Sequence, residues 1–134
     1  MANKLFSTNI RSNLLKTPSR KLNLQEYHSK NLLQSFGLNT QKFYIAHNSS
    51  DAEKFASKLI NEDGAPEIVL KAQILAGGRG AGTFTNGFKG GVKLSTDPVK
   101  IGDLAGKMLG QRLVTKQTPA DGVLVNTVIG VGFW

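Results

Sequence analysis

The sequence predicts a domain of mixed helix and strand, of the α+β or α/β class. Three observations predict it. Two segments, at 50–60 and 97–108, repeat apolar residues with helical period behind capping residues. Short apolar runs rich in β-branched residues alternate with them, at 42–46, 67–75, 92–95 and 123–131. Turn-forming clusters such as Asn61-Glu-Asp-Gly-Ala-Pro66 separate the two patterns. A chain of 134 residues can bury one modest core.

Taken in order, Asn23-Leu-Gln-Glu26 has the form of a capping box, with Asn23 as N-cap and Glu26 reaching back. Leu24, Tyr27, Leu32, Leu33 and Phe36 then form an apolar helical face, and Gly37 stands where a C-cap belongs. Lys42 to Ala46 reads as a strand. Ser50-Asp-Ala-Glu53 is a second capping box, followed by Ala52, Phe55, Ala56, Leu59 and Ile60 on one helical face. Glu67 to Leu75 is a strand, and a glycine-rich loop runs from it to Gly91. Val92 to Ser95 returns as a short strand. Thr96 or Asp97 caps a third helix with Pro98 in its first position and Gly110 at its close. Its inner face is Ile101, Leu104, Ala105 and Met108. Val114 to Thr118 is expected to be extended, Pro119 to Gly122 to turn, and Val123 to Val131 to form a last strand. That strand and the pair Phe133-Trp134 have no following element, which predicts an unfinished domain; the alternative is a C-terminal edge strand.

Composition excludes several functions. There are no cysteines, so disulfides and thiolate metal sites are ruled out. Only His28 and His47 are present, without a carboxylate cluster beside them, and no transition-metal site is expected. No apolar run approaches the roughly 20 residues that cross a bilayer, so no membrane partner is expected.

The net charge of +8 is unevenly placed. Of 17 basic residues, Lys4, Arg11, Lys16, Arg20 and Lys21 precede the first acid, Glu26, which leaves 12 basic against 9 acidic residues, or +3. Such a balance does not point to nucleic acid. Residues 1–21 hold no acid, are rich in Ser, Asn and Thr, and intersperse their cations with Leu5, Phe6, Ile10, Leu14 and Leu15. That is the composition of a disordered mitochondrial transit peptide, with cleavage expected just before Leu22. The alternative is a disordered basic tail.

The chemistry concentrates in Ile68-Val-Leu-Lys-Ala-Gln-Ile-Leu-Ala-Gly-Gly-Arg-Gly-Ala-Gly82. Gly77, Gly78, Gly80 and Gly82 would let backbone N–H groups converge on an anion, with Lys71 and Arg79 supplying fixed positive charge. This is not a Walker A loop, because the lysine precedes the glycines and no hydroxyl follows Lys89. It is not a dinucleotide fingerprint either, because Gly78-Arg-Gly80-Ala-Gly82 lacks the G-x-G-x-x-G spacing. What remains is a strand lysine feeding a mobile glycine-rich hairpin that could fold over a nucleotide. Lys71 has two readings: a partly desolvated ammonium that needs an anion, or a side chain on the solvent face. An RGG-type RNA contact is disfavoured because such segments come as repeats.

Four stretches together resemble one family. Leu22-Asn-Leu-Gln-Glu-Tyr27, Leu70-Lys-Ala-Gln-Ile-Leu-Ala-Gly-Gly-Arg-Gly80, Gly87-Phe-Lys-Gly-Gly-Val-Lys93 and Thr115-Lys-Gln-Thr118 look like the start of a succinyl-CoA ligase β subunit. The resemblance runs over residues 22–129. It implies an α+β, ATP-grasp fold, of which 22–134 would be the N-terminal lobe of the nucleotide-binding domain. It implies GTP/GDP or ATP/ADP as nucleotide, Mg²⁺ with it, a heterodimer with an α subunit, and the mitochondrial matrix. The implied reaction couples the nucleotide to succinyl-CoA and succinate interconversion in the tricarboxylic acid cycle. Lys71 matches the family lysine on the phosphates, and Gly78, Arg79 and Gly80 match its Gly-Arg-Gly nucleotide-binding segment. Gln41 stands where GTP-type subunits have glutamine and ATP-type ones proline, which favours the GDP-forming type; alternatively Gln41 is a solvated loop residue.

Two departures stand out. Ala81 replaces a lysine that usually follows Gly-Arg-Gly. The chain also reads Gly130-Val-Gly-Phe-Trp134 where the family carries an acidic hinge residue. By resemblance, the second lobe, the CoA-ligase-type domain and the Asn and Asp that hold Mg²⁺ are missing. This truncated chain is therefore expected to contain no catalytic or metal residue and to be inactive alone. Two rival classes are an inactive module that binds nucleotide or the α subunit, and a basic RNA-binding fragment.

Overall fold

A computed structural model describes residues 24–134. The segment 1–21 and the expected cap Asn23 lie outside the described residues. The elements run α1 Glu26–Ser35, β1 Phe43–Ala46, α2 Ser49–Asn61, β2 Glu67–Ala72, a 3-10 turn Arg79–Ala81, β3 Thr83–Phe84, β4 Val92–Ser95, α3 Pro98–Met108, β5 Arg112–Val114, β6 Val123–Leu124 and β7 Val128–Phe133. They build two sheets, one of four strands in the order β1-β7-β2-β4 and one of three in the order β3-β5-β6. Every pairing is antiparallel, which makes the domain α+β rather than α/β.

The helices with the clearest apolar period form the core. Ala52, Phe55, Ala56 and Leu59 of α2 are buried, as are Ile101, Ala105 and Met108 of α3. The two helices pack on each other and on one face of the four-stranded sheet. Along β2, Ile68, Leu70 and Ala72 are buried while Val69 and Lys71, on the other face, are half-buried. Leu70 pairs with Gly130 of β7, and a Cβ at Gly130 would run into the Phe55 ring. That glycine lets the helix approach the sheet.

Local chemistry accounts for the helix ends. Asp97 caps α3 through Val99 N–H, with Pro98 in the first turn as expected. The cap of α2 is Asn48 and not Ser50: Asn48 Oδ1 accepts from Asp51 N–H at 2.8 Å, and Asn48 Nδ2 donates to the Asp51 carboxylate at 2.9 Å. Ser49 Oγ instead donates to Gly102 O at 2.7 Å, tying α2 to α3. Gly37, at φ +75°, closes α1 with paired bonds from Gly37 N to Gln34 O and from Leu38 N to Leu33 O, a Schellman ending.

Several expectations are corrected. Helix α1 begins after Gln25, which makes no side-chain cap, and the Glu26 carboxylate is taken by Lys71 and Arg79. The apolar face of α1 is not buried; Leu32 and Leu33 are 49% and 44% exposed and no residue of α1 is buried. Strand β2 ends at Ala72, because Gln73 N turns to Thr127 O at 3.0 Å. The segment Thr115–Thr118 is a turn, held by Thr115 N–H donating to Thr118 Oγ1 at 2.9 Å. The run 123–131 is two strands in different sheets. Gly110 and Gln111 bond Val125 on both sides, and the chain then crosses to pair β7 between β1 and β2. So β7 is a central strand and not an edge.

Candidate nucleotide-phosphate site

Strand β2 delivers Lys71 to the sheet face away from α2 and α3. An isolated ammonium leaving water there would be costly, and the structure supplies a counter-charge. Lys71 Nζ lies 2.9 Å from Glu26 Oε1, the first residue of α1. The other oxygen, Glu26 Oε2, takes Arg79 from the glycine loop. The carboxylate therefore bridges the two cations, and all three side chains are only 21–25% exposed. Burial pushes the Glu26 carboxyl up, but the hydrogen bond from Lys71, the charges of Lys71 and Arg79 and the bond from Arg79 outweigh it. The net pKa lies below the ordinary 4.5.

The loop that carries Arg79 is fastened to the second sheet. Gly77 N–H donates to Gln117 Oε1 at 3.1 Å, and Thr115 Oγ1 donates to Gly77 O at 2.9 Å. Gly91 N–H donates to Arg79 O at 2.8 Å and Gly90 N–H to Gly82 O at 2.8 Å. A Cβ at Gly82 would meet Leu113 and Val114 O within 2.8 Å. The hairpin expected to be mobile is thus anchored at both ends, because β3 pairs with β5. The roles of the four glycines also divide. Gly77 and Gly82 serve packing, and Gly77 N–H is already engaged. Among the described residues, the N–H groups of Gly78, Arg79 and Gly80 donate no hydrogen bond. Gly78 holds φ +75°, which turns the chain so that these groups follow one another. A concavity of about 220 Å³ adjoins them, lined by Gly78, Ala81, Thr115, Lys116 and Gln117.

The structure brings together Lys71, Arg79 and the turn Gly78–Gly80. It does not bring Gln41 to them. Gln41 is exposed and lies just before β1. Ile45, Ile129 and Lys71 share one row across three strands. Gln41 is four residues from that row and two strands away, roughly 16 Å from Lys71 at ordinary strand spacings. Only the far end of an extended ligand could reach it. A larger concavity of about 380 Å³, lined by Asn31, Gln34, Lys42, Phe43, Tyr44 and Ile45, includes neither cation.

Sequence reasoning missed Glu26, Gln73, Thr115 and Gln117. Gln73 is buried and accepts Tyr27 N–H through Oε1 at 3.3 Å, beside the ion triad. The one available signal was Lys71 itself, whose apolar strand called for an anion. Nothing local said that the anion lies 45 positions earlier. For Mg²⁺, which prefers several oxygen ligands, this site is a poor fit: its one carboxylate is committed to two cations. Among the described residues no cluster of His, Cys, Asp or Glu could hold a metal ion. A phosphate fits, since Lys71 and Arg79 keep further donors and the turn offers its N–H groups.

Comparisons with known proteins show the family. Residues 23–131 match the ATP-grasp domain family. The chain is 53% identical over 113 residues to the mitochondrial GDP-forming succinate–CoA ligase subunit β of Mus musculus, covering 84% of this chain and 25% of that one. The GDP-forming subunit β of Dictyostelium discoideum is 45% identical over 129 residues, covering 96% and 30%. An ADP-forming subunit β from Blastocystis is 41% identical over 113 residues, covering 84% and 27%. The chain spans 25–30% of the length of these relatives.

Proposed function

The chain belongs to the ATP-grasp domain family, and we propose that it is the phosphate-gripping part of a succinate–CoA ligase β subunit. In this reading Lys71 and Arg79 neutralise the phosphates of a nucleoside triphosphate, and the N–H groups of Gly78–Gly80 bond its oxygens. Fixed donors aimed at a phosphoryl group offset its charge without rearranging during the reaction. The carrying observation is the Glu26 carboxylate shared between Lys71 and Arg79, and it supports a site for a larger anion at these two cations.

The nucleotide is GTP/GDP, with ATP/ADP as the second choice. Gln41 and the names of the relatives at 53% and 45% identity support that preference. Gln41 would meet the base end of the ligand. Mg²⁺ arrives with the nucleotide, bound by groups outside the residues described. The partner is the ligase α subunit in a heterodimer, the substrates are succinate and CoA, and the location is the mitochondrial matrix. Relatives named as mitochondrial ligase β subunits support this reading.

Titration of the full chain with GTP by calorimetry tests the site. Lys71→Ala is expected to weaken GTP by about tenfold or more, the scale of a lost charge-assisted hydrogen bond. Unchanged affinity would remove Lys71 from the site.

A further inference from the structure

We propose that Glu26 is a built-in phosphate surrogate: its carboxylate holds Lys71 and Arg79 together, and an arriving polyphosphate displaces it and frees the start of α1. This deepens the nucleotide reading above and rests on it.

The geometry carries the argument. One oxygen of Glu26 takes the ammonium at 2.9 Å and the other takes the guanidinium. Two oxygens of a phosphate would engage the same donors. Without any anion, two cations this close would repel and swing apart into water. Glu26 therefore keeps the two cations assembled. The same carboxylate also opposes an incoming phosphate, because both are negative and both need the same N–H groups. A phosphate tail carries more charge and more acceptors than a single carboxylate, and it gains the N–H groups of Gly78–Gly80 as well.

Displacement is feasible because α1 is lightly held. No residue of α1 is buried. Among the described residues, its side-chain polar tethers beyond the ion triad include Tyr27 N–H on Gln73 Oε1 at 3.3 Å, Lys30 over the Phe43 ring at 5.8 Å, and Gln34 on Thr40 at 2.7 Å. The other helices are fixed by buried side chains; α1 is fixed chiefly by its first carboxylate. Whatever takes Lys71 and Arg79 takes the strongest anchor of α1.

Two measurements on the full chain test this. Glu26→Gln keeps the shape of the side chain and removes its charge. Calorimetric titration with GTP, and separately with inorganic tripolyphosphate, is expected to show both binding Glu26→Gln at least about threefold more tightly than wild type, the scale of one partly exposed charge interaction. Hydrogen exchange on the wild type is expected to show the amides of residues 27–30 exchanging faster when GTP is bound. Weaker binding by Glu26→Gln, or greater protection of those amides with GTP, would overturn the surrogate and leave the nucleotide site standing, with Glu26 serving only to position the cations. No GTP binding by wild type and Glu26→Gln alike would overturn both readings. The exchange result is read on the wild type and does not depend on the variant folding.

Discussion

At the scale of single residues, the bridged carboxylate predicts a pH dependence with a definite sign. Glu26 titrates below 4.5 in the folded chain because Lys71 and Arg79 together outweigh its burial. An unfolded glutamate titrates near that ordinary value. The folded state therefore releases this proton more readily, and the resulting stabilisation is fully present above the unfolded pKa. It is lost as pH falls through the lower folded pKa. Urea midpoints of wild type and Glu26→Gln, measured from pH 6 down to pH 3, should keep a constant gap above pH 5. Below about 4.5 the gap should change steadily, with the wild type losing ground as its carboxylate protonates. A gap that stays constant across the whole range would mean that the triad contributes nothing to folding.

At the scale of elements, α1 and α2 make opposite use of leucine. Leu59 of α2 is fully buried between the helix pair and the sheet, while Leu32 of α1 is about half exposed. Leu59→Ala should cost about 2–5 kcal/mol, as removal of a packed core side chain does. Leu32→Gln should change stability by under about 0.5 kcal/mol, as an exposed substitution does. Denaturant unfolding of the two variants checks both, and a large loss at Leu32 would show that α1 packs far more tightly than its exposure indicates. The same contrast explains what the sequence could reveal. Helices α2 and α3 were legible because their apolar period matches real burial and their caps are local, although the α2 cap sat two residues earlier than expected. The apolar period of α1 was equally visible, yet periodicity records a face and not what covers it. The division of 123–131 into β6 and β7 had no local signal: bonds from Gly110, Gln111 and Gln73 set the crossing, and all come from other segments. Lys71 and Arg79 were legible as a pair beside glycines. The acid joining them was hidden because Glu26 also suited a capping box, and only the folded chain shows which use prevails.

At the scale of the whole molecule, the positive charge is unevenly placed along the chain. The chain carries +8, but five of its cations precede Glu26 and the rest balance to +3. Within the described part, Lys71 and Arg79 answer a carboxylate, Arg112 pairs with Asp121 at 3.4 Å, and Lys42 lies 3.8 Å from Asp63. A body that balances to +3 is only mildly basic, which is weak support for following a nucleic-acid backbone. A nucleotide, by contrast, needs only a few donors fixed at one point, which is the role proposed for β2 and the anchored glycine loop. The two functions should therefore separate along the chain. A chain beginning at Leu22 should bind GTP as the full chain does. Any affinity of the full chain for single-stranded RNA should fall with it, and its dependence on salt should become shallower. If all five cations neutralise phosphates, the slope of log affinity against log salt should decrease by up to about 3.5. Titrations of both chains with GTP and with RNA over a range of salt decide the matter. RNA binding that survives removal of residues 1–21 with its slope intact would place a nucleic-acid surface on the folded body. It would also reopen the glycine loop, with Arg79 at its centre, as a contact for RNA rather than for a nucleoside triphosphate.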